Sequence, residues 1–381
     1  MAPHFHINTP TSVHFGVGVS QALKSVLPNP TDAVLMVRGK SETNSLPIKK
    51  DLEKHGVVVH QISVTSEPSV ATVNSALDKV AGKECCAIIA CGGGSVLDTA
   101  KALRFCLELG AKLPEDIATV DQADLQADAS IVLVAIPTTA GTGAEVTNNA
   151  VLDVSNSKAS LRGLRLFPSF ALVDPALLSS APKAVAIGAG LDAVTQTIEA
   201  YTSRLSSPFT EAITEPNIRL GAWAVRKVVE RGDQDSWTQM GWVSLSSGLA
   251  LSNGGLGAAH GLAAVLGSRL KAPHGLLCGR LLGPVLIQNR SVAQIGSETL
   301  RKIESSIEAL AETFSEPLGK NELSGFEAWL NRNRVPRLRD YSTDKADFDE
   351  IAEAAVFASS STKNAVPLRK ADFREILDAA Y

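Results

Sequence analysis

The stretch AIIACGGGSVLDTAKAL, residues 87–103, decides the fold: an apolar run, three glycines in a row, then an amphipathic segment that begins near Ser95. Glycines without a Cβ let the backbone approach a ligand closely, and the free N–H groups and positive end of a helix attract an anion. Gly92, Gly93, Gly94 and Ser95 therefore read as a cradle for a pyrophosphate rather than as a plain turn between strand and helix. The spacing is not that of the G-x-G-x-x-G fingerprint.

The same alternation continues on both sides. AVLMV (33–37), VVVHQISV (57–64), CCAIIA (85–90), SIVLVAI (130–136) and FALVDP (170–175) are strand candidates, separated by helix-length segments such as SVATVNSALDKVAG (69–82). Strands alternating with helices predict right-handed βαβ units and a parallel sheet. A second loop, AIPTTAGTGAEVT (135–147), follows its strand as the glycine loop does, and Thr138, Thr139 and Thr142 offer hydroxyls suited to phosphate, ribose or carboxamide. Two such loops at the ends of parallel strands predict a dinucleotide site. FGVGVS (15–20) reads as a turn only.

After Pro182 the strand signal stops. In ETLRKIESSIEALAETF (298–314), Leu300, Ile303, Ile307, Leu310 and Phe314 step by three and four and form one apolar core stripe. Tryptophans 223, 237, 242 and 329 read as core as well. A boundary in the Ser-Ser-Ala-Pro stretch gives an α/β domain over 1–178 and an all-helical domain over 179–381.

Composition narrows the function classes. The chain has 381 residues, 45% of them apolar and 20% charged, with a formal charge of -4 and no basic run. That excludes the electrostatic footprint of a nucleic-acid or anionic-membrane binder. The first residues show no basic and apolar leader, and the longest apolar runs are strand-length, so a soluble cytoplasmic protein is expected. Five cysteines, an odd number in apolar or helical surroundings, fit reduced packing residues.

Five of seven histidines precede residue 61, and His4 and His6 read as a solvated arm. The other two, His260 and His274, lie fourteen apart in the helical half. With Asp192 they supply two imidazoles and a carboxylate, a set suited to Zn²⁺ or Fe²⁺ with one position open. Asp192 opens GLDAVTQTIEAYTS, with Gln196 four residues on and therefore on the same helix face.

GGGSVLDTAK, IPTTAGTGAEVTNNAVL, GAGLDAVTQTIEAYTSRLSSP, the HG…PHG pair and KNAVPLRKADFREILDAAY together resemble the iron-containing (group III) alcohol dehydrogenases, from the N-terminal strand to Tyr381. The resemblance implies an N-terminal Rossmann-like α/β domain with a parallel sheet and a C-terminal helical domain. It also implies an active site in the cleft between them, in the architecture shared with dehydroquinate synthase. It implies hydride transfer between a nicotinamide and an alcohol or aldehyde carbon, aided by a metal ion, in a homo-oligomer, usually a dimer. Carried onto this chain, the metal ligands and catalytic centre are Asp192, Gln196, His260 and His274.

Two positions depart from the family pattern. Gln196 stands where the family has His, and an amide oxygen is the weaker ligand, which places zinc ahead of iron. Ala264 stands where many members carry another His. Three alternatives stay open: a metal-independent reductase like the maleylacetate reductases, a lyase like dehydroquinate synthase, and a cofactor-binding protein without catalysis. In VLMVRGKSE (34–42), relatives that prefer NAD tend to have Asp after the first strand. This chain has Arg38, Gly39, Lys40 and Ser41 there, which suits the 2′-phosphate of NADP(H) over NAD(H). Lys158 matches a family lysine near the cleft, Asp98 is expected to meet the cofactor, and Lys101 is expected to be structural.

Overall fold

The computed structural model describes residues 4–29, 32–154, 157–315, 321–341 and 344–381. The chain divides into two compact units, Thr9–Pro182 and Lys183–Tyr381, the second joined by the residues ahead of Thr9. The division falls after Pro182 rather than Leu178. The reason is local: the Asp174 side chain caps Pro175–Leu178, and Asn44 donates to Ser180 Oγ at 2.7 Å, holding this stretch to the first unit.

The first unit contains strands β1 (Ser12–Phe15), β2 (Val34–Arg38), β3 (Val59–Ser63), β4 (Ala87–Gly92), β5 (Val132–Pro137), β6 (Asn149–Val154), β7 (Ser157–Arg162) and β8 (Phe170–Val173). Its helices are α1 (Ser45–Lys54), α2 (Val70–Val80), α3 (Gly94–Leu109), α4 (Gln122–Gln126) and α5 (Pro175–Leu178). Six strands form one sheet in the order β1-β8-β5-β4-β2-β3, every neighbouring pair parallel. Side chains alternate between two buried faces. Val34, Met36, Ile89 and Val134 pack with Leu23, Val26 and Leu52 on one side, while Leu35, Val37, Ile88 and Leu133 pack with Val80, Val96 and Leu97 on the other. Burial of both faces is why these strands read as continuous apolar runs.

Strand β1 and the antiparallel β6–β7 hairpin were not among the expected strands. In the hairpin only alternate residues are buried: Ala150, Leu152 and Leu161 turn into a cluster with Val73 and Phe105. From β2 the chain adds β3 on one side, then β4 and β5 on the other. The strand order therefore reverses between β2 and β4, the point at which open α/β sheets bind ligands beyond their carboxyl ends.

The second unit is built from α6 (Lys183–Thr202), α7 (Pro208–Glu230), α8 (Gln234–Gly254), α9 (Ala258–Leu270), α10 (His274–Val292), α11 (Glu298–Thr313), α12 (Ser324–Arg332), α13 (Phe348–Phe357) and α14 (Lys370–Ala380). Leu262, Leu266, Leu281, Phe348, Phe373 and Leu377 are among the residues that join α9, α10, α13 and α14 in one core. In the α11 stripe Ile303, Ile307, Leu310 and Phe314 are buried and Leu300 half-buried. Two of the four tryptophans correct the reading from sequence: Trp237 and Trp329 are core, but Trp223 and Trp242 are 37% and 41% exposed. Among the described residues no single helix is long and apolar enough to cross a membrane.

Candidate functional site

Helix α6 is buried along most of its length, and Asp192, Gln196 and Glu199 follow one another at i, i+4 and i+7 on one face. Asp192 Oδ1 lies 3.2 Å from His260 Nε2 and 3.8 Å from His274 Nε2. His260 is brought there by the first turn of α9, and His274 is the first residue of α10. One turn later on α10, the Cys278 sulfur stands 3.6 Å from His274 Nε2. The ligand atoms of Asp192, His260, His274 and Cys278 all lie within 4.8 Å of one another. Asp192, His260 and Cys278 are buried, while the His274 side chain is 36% exposed, so the cluster is open on the His274 side.

Gln196 does not join this set. The atom that faces Asp192 Oδ2, 3.4 Å away, must be the amide NH₂, since a carboxylate only accepts. The amide oxygen then accepts from Ser247 Oγ at 2.8 Å. The oxygen of the expected Gln196 ligand is thus engaged by α8, and its NH₂ faces Asp192.

Sequence reading also missed Glu199. Its carboxylate accepts from the Ala259 N–H and from His260 Nδ1, both at 2.6 Å. It thereby caps α9 and leaves Nε2 of His260 aimed at Asp192. Such a carboxylate–histidine pair fixes the ring and its tautomer for metal binding. The i+7 spacing from Asp192 was the available signal. Glu199→Gln is expected to keep the helix cap but weaken metal affinity about 10–100-fold, measured by competition with a chelating dye. Unchanged affinity would reduce Glu199 to a capping residue.

The charges favour a cation. Burial raises the Asp192 carboxyl, but the hydrogen bond from His260 and the charge of His274 outweigh it and hold the group below its ordinary value. Burial likewise lowers both imidazoles. The charge of Cys278, together with Asp192, outweighs it, so His260 sits well above the usual imidazole value and His274 above it. Protons held at such a site are released when a divalent ion takes their place. A carboxylate, two imidazoles and a thiol are ligands that a borderline-soft divalent ion takes well.

In the first unit, α3 begins at Gly94, with Gly93 as an N-cap that makes no side-chain capping bond. Packing at each cradle glycine is close. A Cβ on Gly92 would lie 2.4 Å from Val96, one on Gly93 would lie 3.1 Å from Thr139, and one on Gly94 would lie 2.8 Å from Thr142. The structure thus brings the glycine loop and the threonine loop into contact. Gly39, after β2, faces Val96 of the same cradle at 3.9 Å from its own would-be Cβ. Thr138 donates its N–H to the Gly92 carbonyl at 3.0 Å.

Several side chains expected at the cofactor are engaged by the protein. Asp98 Oδ2 accepts from the Val151 N–H at 3.0 Å, which ties α3 to the hairpin. Lys101, buried and lowered to about 8 by desolvation, donates to Thr147 Oγ1 and the Asn149 carbonyl at 2.9 Å, the structural part foreseen for it. Lys158 and Ser95 converge on Glu67, at 3.3 and 3.2 Å. The Arg38 guanidinium is spent on Gln61, Ser63, the Gly39 carbonyl and an ion pair with Glu42. Of the two cations expected after β2, Lys40 alone remains exposed there, beside an exposed Ser41 whose hydroxyl meets Thr43 at 2.9 Å.

Comparison with known proteins agrees with this geometry. Residues 10–175 match the family described as iron-containing alcohol dehydrogenase, and residues 186–381 match the C-terminal domain of the Fe-containing alcohol dehydrogenase family. A probable alcohol dehydrogenase, EutG, of Escherichia coli is 36% identical over 66% of this chain, which spans 65% of that relative, somewhat under two thirds of its length. An NADPH-dependent butanol dehydrogenase of Clostridium saccharobutylicum is 30% identical over 98% of this chain and 97% of its own. The solved iron-containing alcohol dehydrogenase of Thermococcus thioreducens superposes with a TM-score of 0.83 at 25% identity, over 99% of each chain. With both of its units matched, the chain belongs to the iron-containing alcohol dehydrogenase family.

Proposed function

We propose that this chain is an NADPH-dependent oxidoreductase that interconverts a small alcohol with its aldehyde or ketone, working chiefly as a carbonyl reductase, with a divalent metal at Asp192, His260 and His274. The observation that carries the reading is the convergence of these three side chains around Asp192 Oδ1. A divalent ion bound there supplies Lewis acidity to a carbonyl oxygen. The side chains do the rest. Glu199 and Gln196 hold His260 and Asp192 in register, and the exposed side of His274 admits the substrate. Ala264, one turn beyond His260 on α9, offers no proton.

The cofactor is held by its phosphates at the N-terminus of α3, where Gly93, Gly94 and Ser95 present backbone N–H groups beside Thr139 and Thr142. Lys40 and Ser41 receive the 2′-phosphate, and Lys158 turns from Glu67 to the bound nucleotide. The names of two relatives, the NADPH-dependent butanol dehydrogenase and a lactaldehyde reductase of Escherichia coli, support this direction and substrate class. Five free cysteines support a reducing, cytoplasmic setting.

Thermal unfolding tests the cofactor reading. A ligand that binds only the folded state at 100 times its Kd adds about 2.7 kcal/mol. NADPH is therefore expected to raise Tm by several degrees, NADH less, and Lys40→Ala to erase the difference. No shift with either nucleotide, or no consumption of NADPH with butyraldehyde or lactaldehyde, would defeat the proposal.

A further inference from the structure

We propose that Cys278 is a thiolate ligand of the metal, in the place Gln196 leaves open, and that this donor set takes zinc or cobalt(II) in preference to iron(II). The inference rests on the metal-dependent reading above and adds a ligand and a metal to it. Spacing is the first argument. Tetrahedral zinc with bonds of about 2.0–2.1 Å to nitrogen or oxygen and about 2.3 Å to sulfur sets its N and O donors about 3.4 Å apart and its N and S donors about 3.6 Å apart. Here the two imidazole nitrogens lie 3.2 and 3.8 Å from Asp192 Oδ1, and the Cys278 sulfur lies 3.6 Å from His274 Nε2. The 3.2 Å and, for sulfur, the 3.6 Å separation are hydrogen-bond lengths as well, so without an ion these groups hold one another at nearly the spacing a metal requires.

The side chains around the site give the second argument. Gln196 has its oxygen engaged by Ser247, and an amide oxygen is a weak ligand, so α6 supplies one strong donor. Helix α10 supplies a pair, since His274 and Cys278 are one turn apart and share a face. Cys278 borders the apolar core of α9, α13 and α14, where a cysteine used only for packing behaves as a small hydrophobe. Its sulfur instead faces an imidazole nitrogen.

Charge is the third argument. A divalent ion with Asp192 as its one anionic ligand leaves a net positive donor set, which the buried Glu199 carboxylate on His260 Nδ1 offsets only from across the ring, and unbalanced buried charge is costly. Asp192 and a Cys278 thiolate together neutralise it. Thiolate softness and the general order of divalent affinities both place zinc above iron(II) at such a set.

Cobalt spectroscopy tests this without reference to turnover. Protein stripped by chelator and loaded with equimolar cobalt(II) is expected to show visible d–d bands together with a near-ultraviolet sulfur-to-cobalt charge-transfer band. Cys278→Ser should keep the d–d bands, lose the charge-transfer band, and bind zinc at least about 10–100-fold more weakly, the loss that even an outer hydrogen-bond partner causes. The wild-type spectrum decides the ligand even if the variant fails to fold. Cobalt bound without the charge-transfer band overturns the thiolate ligand and leaves the three-residue metal site standing. Equal occupancy by zinc and iron(II) in anaerobic competition overturns the metal preference. No uptake of any of the three ions overturns this inference and the metal in the proposed function, and NADPH consumption then shows whether the oxidoreductase reading survives.

Discussion

Asp192→Asn is expected to yield a folded protein that retains NADPH binding, holds no metal, and reduces aldehydes about 1000-fold more slowly. Asp192 Oδ1 is the atom that faces both imidazoles, and Oδ2 is fixed by Gln196. An amide in its place keeps the volume and the contact to Gln196's neighbourhood but removes the negative charge and the strongest oxygen donor. A Lewis acid contributes several kcal/mol to the stabilisation of developing charge, and each 1.36 kcal/mol or so is tenfold in rate, which gives the expected roughly three orders of magnitude. The loss should fall on kcat, with the NADPH-induced rise in Tm preserved, because the phosphate cradle belongs to the other unit. Metal content by mass spectrometry and steady-state kinetics check it together. A variant within tenfold of wild-type kcat would remove metal-assisted chemistry at this cluster from consideration.

The parts of the fold that were legible in the sequence share a physical cause. Strands β2, β4 and β5 lie between two buried layers, so nearly every residue is apolar and the runs stand out. The hairpin has one covered face, and its short apolar run, Ala150–Leu152, flanked by polar residues, hid it. Glycines 92–94 marked the cradle because a backbone squeezed between Val96 and two threonines admits no other residue cheaply.

At the site, identities were legible and orientations were not. Asp192, His260 and His274 could be named from the sequence, but the rotation of Gln196 depends on Ser247, fifty-one residues away on α8. Cys278 looked like packing because it follows two leucines in an apolar helix, and only its i+4 relation to His274 distinguishes it. Arg38 and Asp98 carry the charge expected of cofactor contacts, yet Gln61, Ser63 and Glu42 claim the first and the Val151 N–H the second. A polar side chain advertises a capacity to bond; which partner uses it is settled by tertiary packing.

Gly275→Ala is expected to lower Tm and cost the protein most of its metal, although residue 275 offers no donor atom to metal or cofactor in the proposed scheme. A Cβ at this position would lie 2.1 Å from the Gly188 carbonyl oxygen, 2.8 Å from its carbon and 3.0 Å from Asp192 Cβ. The first two are backbone atoms of α6, so no rotamer change relieves the clash, and α10 must move away from α6. Such overpacking costs about 1–3 kcal/mol, with each kcal/mol worth roughly 2–4 °C in a protein of this class. The displacement falls between the helix that carries Asp192 and the helix that carries His274 and Cys278, and it widens the donor spacing directly. Gly267→Ala on α9 is the matched control. Its Cβ would meet nothing nearer than Leu277 at 4.0 Å, and removing a mid-helix glycine favours the helix by up to about 1 kcal/mol. If Gly275→Ala melts and binds metal as Gly267→Ala does, the close crossing of α6 and α10 is not what holds the donors together. If metal is lost while the core stays cooperative, helix spacing set by one missing methyl group is what makes the cluster a binding site.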